Sequence, residues 1–416
     1  MSDRQLHIAW LGPVPSDGGG VAGVAGELLH GLAARGHRID CFFPSAGREL
    51  PPRLEQEERL TFVWGTNVWH WDRWYSRTRI GALASGMLTR GLASLRLRRQ
   101  ISAWHARDPY DVIYQFSAIE GFAVPTRVRR AVPLVIHPET HAAGELRALI
   151  SERDLAARCQ PLQMRAAAFA LMSLRTLVQR VTIRRARLLV CISAVFRDHM
   201  VSDYGFPGAA TAVVPNPVRT ERFAGVRREL GETPTVLVLG RIAARKGVQD
   251  VVAVARLLHE RGESVSLRIV GAPSLWSDYT KLLEDLPAGT AEHVGSIPAA
   301  EVPGELARAD VLLQPSRYEP FALTVAEALA CGVPVVVTSE VGAGEGVDDS
   351  VASVVAPGDV EALAAAVVAK IAATRADPDG LARRARAEAA RLFAPERVCA
   401  KISGALGELL TTAPPT

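Results

Sequence analysis

The chain is short of paired cysteines, of long apolar runs and of lysine, and each shortage closes off a class of function. Five cysteines, Cys41, Cys159, Cys191, Cys331 and Cys399, are scattered over 416 residues without a Cys-x-x-Cys spacing, so neither a disulfide scaffold nor a zinc site is expected. The longest apolar candidate, around Ala166 to Leu174, stops at Arg175, well short of the roughly 18 to 20 residues that a membrane span needs. Asp3, Arg4 and His7 precede a short apolar stretch broken by Pro13 and Pro15, so no signal-peptide core is expected and the reading is cytoplasmic. No Asp-x-Asp stands at a strand end to hold a divalent ion, and Asp348-Asp349 lies in a loop without that spacing, so no metal, bound cofactor or nucleic-acid partner is expected. Arginine outnumbers lysine 44 to 4, which points to a coding bias.

What remains is a chain built to bury large cores: 48% of its residues are hydrophobic and 22% charged. Short β-branched runs alternate with helical stretches. Leu6 to Leu11, Arg38 to Phe43, Leu60 to Trp64, Asp111 to Phe116, Val132 to His137, Leu188 to Ile192 and Thr211 to Val214 read as buried parallel strands. The rhythm restarts with Thr235 to Leu239, Val265 to Val270, Asp310 to Gln314, Val333 to Thr338 and Val351 to Val355. Pro215, Pro217, Gly225, Gly231 and Pro234 punctuate the stretch between them, as in a hinge. The reading is α/β, with two doubly wound domains over residues 1–215 and 216–392 and a last helix at 393–416 returning to the first domain. Before Asn216 there are 27 basic against 18 acidic residues, and from Asn216 onward 21 against 26, giving +9 and −5. Two segments depart from the rhythm. Trp64 to Arg107 interleaves five tryptophans with eight arginines, and Ala142 to Arg187 reads as a long helical insertion carrying nine arginines.

Three loops carry chemistry. Gly18, Gly19, Gly20 and Gly23 open a helix after the first strand, where free amides and the helix dipole suit a phosphate. The same letters spell a dinucleotide fingerprint with Asp40 as its acid, but six residues separate the strand from the glycines and Asp40 lies inside its own strand. In the second domain Gly240, Arg241, Ala244, Arg245, Lys246 and Gly247 follow a strand and precede a helix, a place for a cationic phosphate clamp. Glu319 and Glu327 are eight residues apart, roughly 12 Å along a helix at about 1.5 Å per residue. That spacing is too wide for the carboxylate pair of a glycosidase and suits the two ends of one ligand.

At these residues the chain resembles the retaining glycosyltransferases of family four, which have the GT-B fold of two facing Rossmann-like domains around a cleft. The resemblance covers nearly the whole chain and rests chiefly on the Glu-x7-Glu element Glu319 to Glu327 and on Gly240-Arg241 with Lys246-Gly247. It extends to Gly19-Gly20, Arg35-Gly36-His37, His137, Cys191-Ile192-Ser193 and Val214-Pro215-Asn216. The resemblance implies that Glu319 holds the transferred sugar, Glu327 the donor ribose, and Arg241 and Lys246 the diphosphate, aided by Gly19 and Gly20. His137 would sit beside the sugar, with Glu319, His137, Arg241 and Lys246 as the catalytic set and Phe321, Ala322 and Leu323 at the donor. His141, Asn216, Gly271, Gly295 and Ile297 are lesser candidates. Two departures stand out. Ala322 replaces the usual glycine of Glu-x-Phe-Gly-Leu, and the usual Gly-Gly…Glu loop reads Val341-Gly342-Ala343-Gly344-Glu345-Gly346.

The expected activity is metal-independent transfer of a sugar, with retention, from a UDP- or GDP-sugar to the hydroxyl of a small-molecule, glycan or lipid-linked acceptor. Competing readings are an NAD(P)-dependent oxidoreductase using Gly18 to Gly23, a non-catalytic GT-B subunit, and a sugar-nucleotide epimerase. The Trp- and Arg-rich stretch from Trp64 to Arg107 suggests peripheral contact with the inner face of a membrane.

Overall fold

The structure is a computed structural model that describes residues 4–45, 47, 49–67, 95–117, 124–273 and 278–412. The first sheet is formed by β1 (His7–Leu11), β2 (Arg38–Ser45), β3 (Leu60–Asn67), β4 (Val112–Phe116), β5 (Leu134–His137), β6 (Leu188–Cys191) and β7 (Thr211–Val213). The second is formed by β8 (Thr235–Leu239), β9 (Ser266–Val270), β10 (Ala291–Gly295), β11 (Val311–Gln314), β12 (Val335–Thr338) and β13 (Ala352–Val355). The spatial orders are β3-β2-β1-β4-β5-β6-β7 and β10-β9-β8-β11-β12-β13, with parallel pairing throughout. Both orders reverse beside their first strand, between β1 and β4 and between β8 and β11. A doubly wound sheet opens a crevice outside the carboxyl ends of its strands at such a reversal. The glycine-rich loop leaves β1, the cationic loop leaves β8 and Glu319 follows β11, so topology delivers the three loops to the same kind of place.

The central strands β1, β4, β11 and β12 are buried along their whole length, as their continuous apolar runs require. The strand not foreseen from sequence is β10. It lies at a sheet edge, and its Ala-Glu-His-Val-Gly has Glu292 and His293 exposed, with Glu292 paired to Arg268 on β9. Charge on an edge strand discourages edge-to-edge pairing and erases the apolar signal that sequence reading depends on. The helical insertion is three helices, Ala142–Ser151, Arg153–Cys159 and Leu162–Ile183, broken at Glu152 and again where Pro161 starts the third.

The last helix, Pro395–Thr412, packs on the first-domain helix Gly20–Ala34. Val398, Cys399, Ile402 and Leu406 are fully buried in the core of the first domain. Gly31 faces Cys399 so closely that any Cβ there would overlap the Cys399 sulfur, which lets the two helices approach. Leu406→Ala is expected to cost about 2 to 4 kcal/mol through the cavity it leaves. Urea unfolding followed by tryptophan fluorescence measures this, and an unchanged midpoint would remove the last helix from the folded core.

Candidate active site

The site grows from the contact between two strand-end loops. After β8 the chain makes a short turn, Ala244–Lys246, that ends on Gly247 with φ +75°. A Cβ at Gly247 would overlap the Pro315 carbonyl at the end of β11, so only glycine lets the loops meet. Their meeting presses the Lys246 ammonium into an ion pair with Glu319 Oε2, and Arg245 Nη1 lies 3.3 Å from the same oxygen. Glu319 is buried, and its backbone is tied to the loop after β12, its amide donating to the Glu340 carbonyl at 3.1 Å. Burial pushes the Glu319 carboxyl up, but Lys246 and Arg245 outweigh it and hold the group ionised, below its ordinary range. Burial pulls the Lys246 ammonium down, and Glu319 offsets only part of that.

Glu319 leads through Phe321 and Ala322 into the helix Leu323–Cys331. Ala322 has φ +74°, the left-handed conformation that glycine would adopt without strain, so the backbone keeps a glycine path although the residue is alanine. The helix begins without a side-chain cap, which leaves its first amides without an intrahelical acceptor. Glu327 lies one turn on. Burial pushes its carboxyl up to about 7, with Arg222 opposing.

Beside these residues opens a cavity of about 510 Å³ lined by Gly240, Arg241, Gly271, Ile297, Thr324 and Glu327. Arg241 is exposed at its rim. Gly295 is one step behind the wall, its carbonyl accepting from the Gly271 amide at 2.7 Å. Gly271 lies against Gly240 with no room for a Cβ. The glycine-rich loop of the first domain completes the arrangement. Gly20 starts its helix at φ +73°, and a Cβ placed on Gly19 would be 4.0 Å from Glu327 Oε1. The structure thus brings Gly19 to Glu327 across the cleft, and Lys246 to Glu319 within the second domain.

Other sequence candidates divide. His137 ends β5, fully buried, with Nδ1 2.7 Å from the Tyr114 hydroxyl and Nε2 3.7 Å from Glu139 Oε1. Burial lowers its pKa to about 3, so the imidazole is neutral. Asn216 belongs to the same cluster: its Nδ2 donates to Glu139 Oε2 at 2.7 Å, and burial raises the Glu139 carboxyl to about 8 against that hydrogen bond. His141 is turned elsewhere, with Nδ1 2.5 Å from the Tyr318 hydroxyl and Nε2 2.9 Å from Asp203 Oδ2, and it joins the domains rather than the cavity. Phe321 is buried edge-on against Phe393 and does not line the cavity. Leu323 packs against the cores of both domains.

Several residues went unassigned in the sequence. Arg245 stood inside the cationic run but resembled its neighbours, and nothing local marked Glu139. Glu345 turns out to cap the first-domain helix Ala194–Tyr204, accepting from the Ala194 and Val195 amides at 2.7 Å each. The Ser193 hydroxyl donates to the Pro320 carbonyl at 2.9 Å, so the departing loop Val341 to Gly346 serves as a seam between the domains.

The dinucleotide reading loses its acid. Asp40 is buried within β2, where it accepts from the Tyr110 hydroxyl at 2.9 Å and lies 3.0 Å from His7 Nε2. The Trp- and Arg-rich stretch falls largely outside the described residues, including Trp69, Trp71, Trp74, Arg73, Arg77, Arg79 and Arg90. Of its described part, Trp104 packs edge-on against Phe42 beside buried Leu97 and Ile101, as core rather than surface.

Two outcomes are expected. Ala322→Gly relieves the positive φ, offset by a more flexible unfolded chain, for a net gain of about 0.5 to 1 kcal/mol in chemical denaturation. A loss of stability would show that Ala322 is unstrained. A carboxyl whose folded pKa is raised stabilises least once it must ionise, so the protein loses stability as pH rises from about 4.5 through about 7. Glu327→Gln removes that loss, and its stability gain over the parent at about pH 8 relative to about pH 5 is expected to be on the order of 2 kcal/mol. Parallel pH profiles for the two proteins would refute a half-buried, proton-binding Glu327.

The chain is similar to known proteins in sequence and in fold. Residues 18–222 match the family model Glycosyltransferase Family 4, and residues 220–388 match Glycosyl transferases group 1. A GDP-mannose-dependent alpha-(1-6)-phosphatidylinositol monomannoside mannosyltransferase of Mycolicibacterium smegmatis is 31% identical over 307 residues, covering 64% of this chain and 78% of that protein. A D-inositol 3-phosphate glycosyltransferase of Geodermatophilus obscurus is 29% identical, covering 87% of this chain and 80% of that protein. In fold the chain is similar to sucrose-phosphate synthase from Thermosynechococcus elongatus, with a TM-score of 0.71 at 19% identity over 99% of this chain and 100% of that one. It is also similar to an Anabaena protein solved with UDP and glucose, with a TM-score of 0.62 at 18% identity over 98% and 100% of the two chains. With a relative above 30% identity spanned over most of its length and family models covering both domains, the chain belongs to the family-four glycosyltransferases of GT-B fold, enzymes that take sugar from a nucleotide-sugar donor.

Proposed function

We propose that the enzyme moves a hexose from a UDP- or GDP-sugar to an acceptor hydroxyl with retention and without a metal ion. The observation that carries this reading is the approach of the Gly19 loop to Glu327 beside a cavity whose rim holds Arg241, with Glu319 held by Lys246 on the adjoining strand-end loops. In this reading the nucleoside lies along Gly271 and Ile297, Glu327 accepts from the ribose hydroxyls, and Glu319 accepts from the sugar hydroxyls. Arg241, Lys246 and the first amides of Leu323–Cys331 meet the diphosphate. Charge grows on the diphosphate as the C1–O bond breaks, and fixed cations and amides stabilise that charge without the proton bookkeeping of a general acid. The acceptor oxygen bonds to C1 from the face that the diphosphate leaves, and its proton passes to the departing phosphate oxygen. Neutral His137 lies on the first-domain side, where its Nε2 has no hydrogen-bond partner among the described residues. Domain closure through the seam Ser193–Pro320 and Glu345–Ala194 excludes the water that would hydrolyse the donor.

The acceptor is read as lipid-linked. Support comes from the name of the mycobacterial relative, which is a phosphatidylinositol monomannoside mannosyltransferase, and from the excess of 27 basic over 18 acidic residues in the first domain.

Glu319→Gln is expected to lower kcat by at least about 100-fold with nucleotide binding retained, because it acts on the sugar. Glu327→Ala is expected to weaken nucleoside diphosphate binding by about tenfold or more, read by thermal shift, where ligand at 100 times its Kd adds about 2.7 kcal/mol. Arg241→Ala with Lys246→Ala should lower kcat as well as affinity, and activity should survive a chelator. Near-parental turnover of Glu319→Gln would overturn the assignment of the glutamate pair, and strict dependence on magnesium would overturn the cation clamp.

A further inference from the structure

The long helix Leu162–Ile183 buries one side and leaves the other without a partner among the described residues. Ala168, Met172, Gln179 and Ile183 face the protein. At 100° per residue Leu162, Ala166, Ala170, Leu174, Leu177 and Val181 form a stripe on the opposite side, with Phe169 at its border. Leu162, Phe169, Leu174, Leu177 and Val181 are between 48% and 70% exposed, and they are five of the nine large apolar side chains exposed among the described residues. Ile150, half exposed, adds to the set from the preceding helix. Exposed apolar side chains gathered on one helix face mark a surface that another phase or partner covers.

Charge selects that partner. From Leu155 to Arg197 the chain has eight arginines and no aspartate or glutamate. Arg180 and Arg184 are exposed near the carboxyl end of the stripe, and Arg158, Arg185 and Arg187 are exposed just outside the helix. A second copy docking through this face would set arginines against arginines, and a neutral apolar partner would leave them unanswered. An anionic lipid surface meets both demands, taking the apolar side chains below the headgroups and the guanidinium groups among the phosphates. No helix among the described residues is long and apolar enough to cross a membrane, so the contact would be one of lying on the surface.

The placement suits the enzyme. The helix Ala142–Ser151 packs against the long helix, and Gly144 on it lies against the Tyr318 ring, one residue before Glu319. The helix that carries the outward face is thus connected through a single helix to the loop that holds Glu319.

We propose that the outward face of Leu162–Ile183, with its flanking arginines, docks the enzyme onto an anionic membrane surface beside its catalytic cleft. The inference deepens the lipid-linked acceptor reading, rests on that reading only for its purpose, and differs from the surface suggested by residues 64–107. The test is flotation of the full-length protein with phosphatidylglycerol-containing and with purely phosphatidylcholine vesicles, at low and high salt. Three proteins are compared: the parent, Leu162→Ser with Phe169→Ser and Leu177→Ser, and Arg158→Gln with Arg180→Gln, Arg185→Gln and Arg187→Gln. The substituted residues are exposed and lie outside the cleft, and thermal shift with nucleoside diphosphate checks that each variant keeps fold and donor site. The expected result is flotation of the parent with anionic vesicles, weakened by salt, and none with the serine variant. Partition of the glutamine variant should fall by more than tenfold, at about fivefold per basic residue near the surface. The proposal is overturned if the parent fails to float at low salt, if the serine variant floats equally well, or if neutral vesicles bind as strongly as anionic ones. A dimer of the parent in light scattering that the serine variant abolishes would also overturn it, assigning the face to a second copy. Retained nucleoside diphosphate binding in a protein that does not float separates failure of docking from failure of the transferase reading.

Discussion

A carboxylate taken out of water must be paired or protonated, and Glu319 is paired. Its charge survives burial because Lys246 and Arg245 reach it from a different strand end, and that contact exists only because Gly247 allows the loop after β8 to lie on the Pro315 carbonyl. Removing one partner from such a pair costs more than the pair itself contributes, since a lone buried charge is left behind. The pair therefore holds the two strand-end loops of the candidate site in one geometry. The cavity beside Arg241 and the start of the helix Leu323–Cys331 are built around it.

Glu327 is the counterexample eight residues on. Among the described residues no cation is in contact with it to answer its desolvation, which raises its pKa to about 7. Two glutamates of one motif thus differ in proton affinity, one below and one above the ordinary carboxylate range, because one faces an ammonium and the other faces Gly19 across the cleft. The environment rather than the residue type distinguishes them.

The domains meet through polar contacts of the same loops. Glu345 caps a first-domain helix, Ser193 reaches the Pro320 carbonyl, and His141 meets Tyr318. These seams lie next to the site on both sides, so the contacts that join the domains also border the site. The last helix adds an apolar link, leaving the second domain to bury Cys399 and Leu406 in the first.

Continuous apolar runs announced the parallel strands, and glycines with cations after strands announced the loops of the candidate site, because those signals are local: burial on both faces of a strand and the chemistry of a helix start each demand particular residues within a few positions. The edge strand β10 was not legible, since half its surface answers to solvent. Neither were Arg245, Glu139 or Glu345, whose roles depend on partners 74, 77 and 151 positions away. The glutamate spacing came from sequence alone, as did the departure at position 322. That Ala322 still follows a glycine path, that one glutamate holds its proton less tightly than an ordinary carboxyl and the other more tightly, and which face of the arginine-rich insertion looks outward were decided only when folding set distant groups side by side.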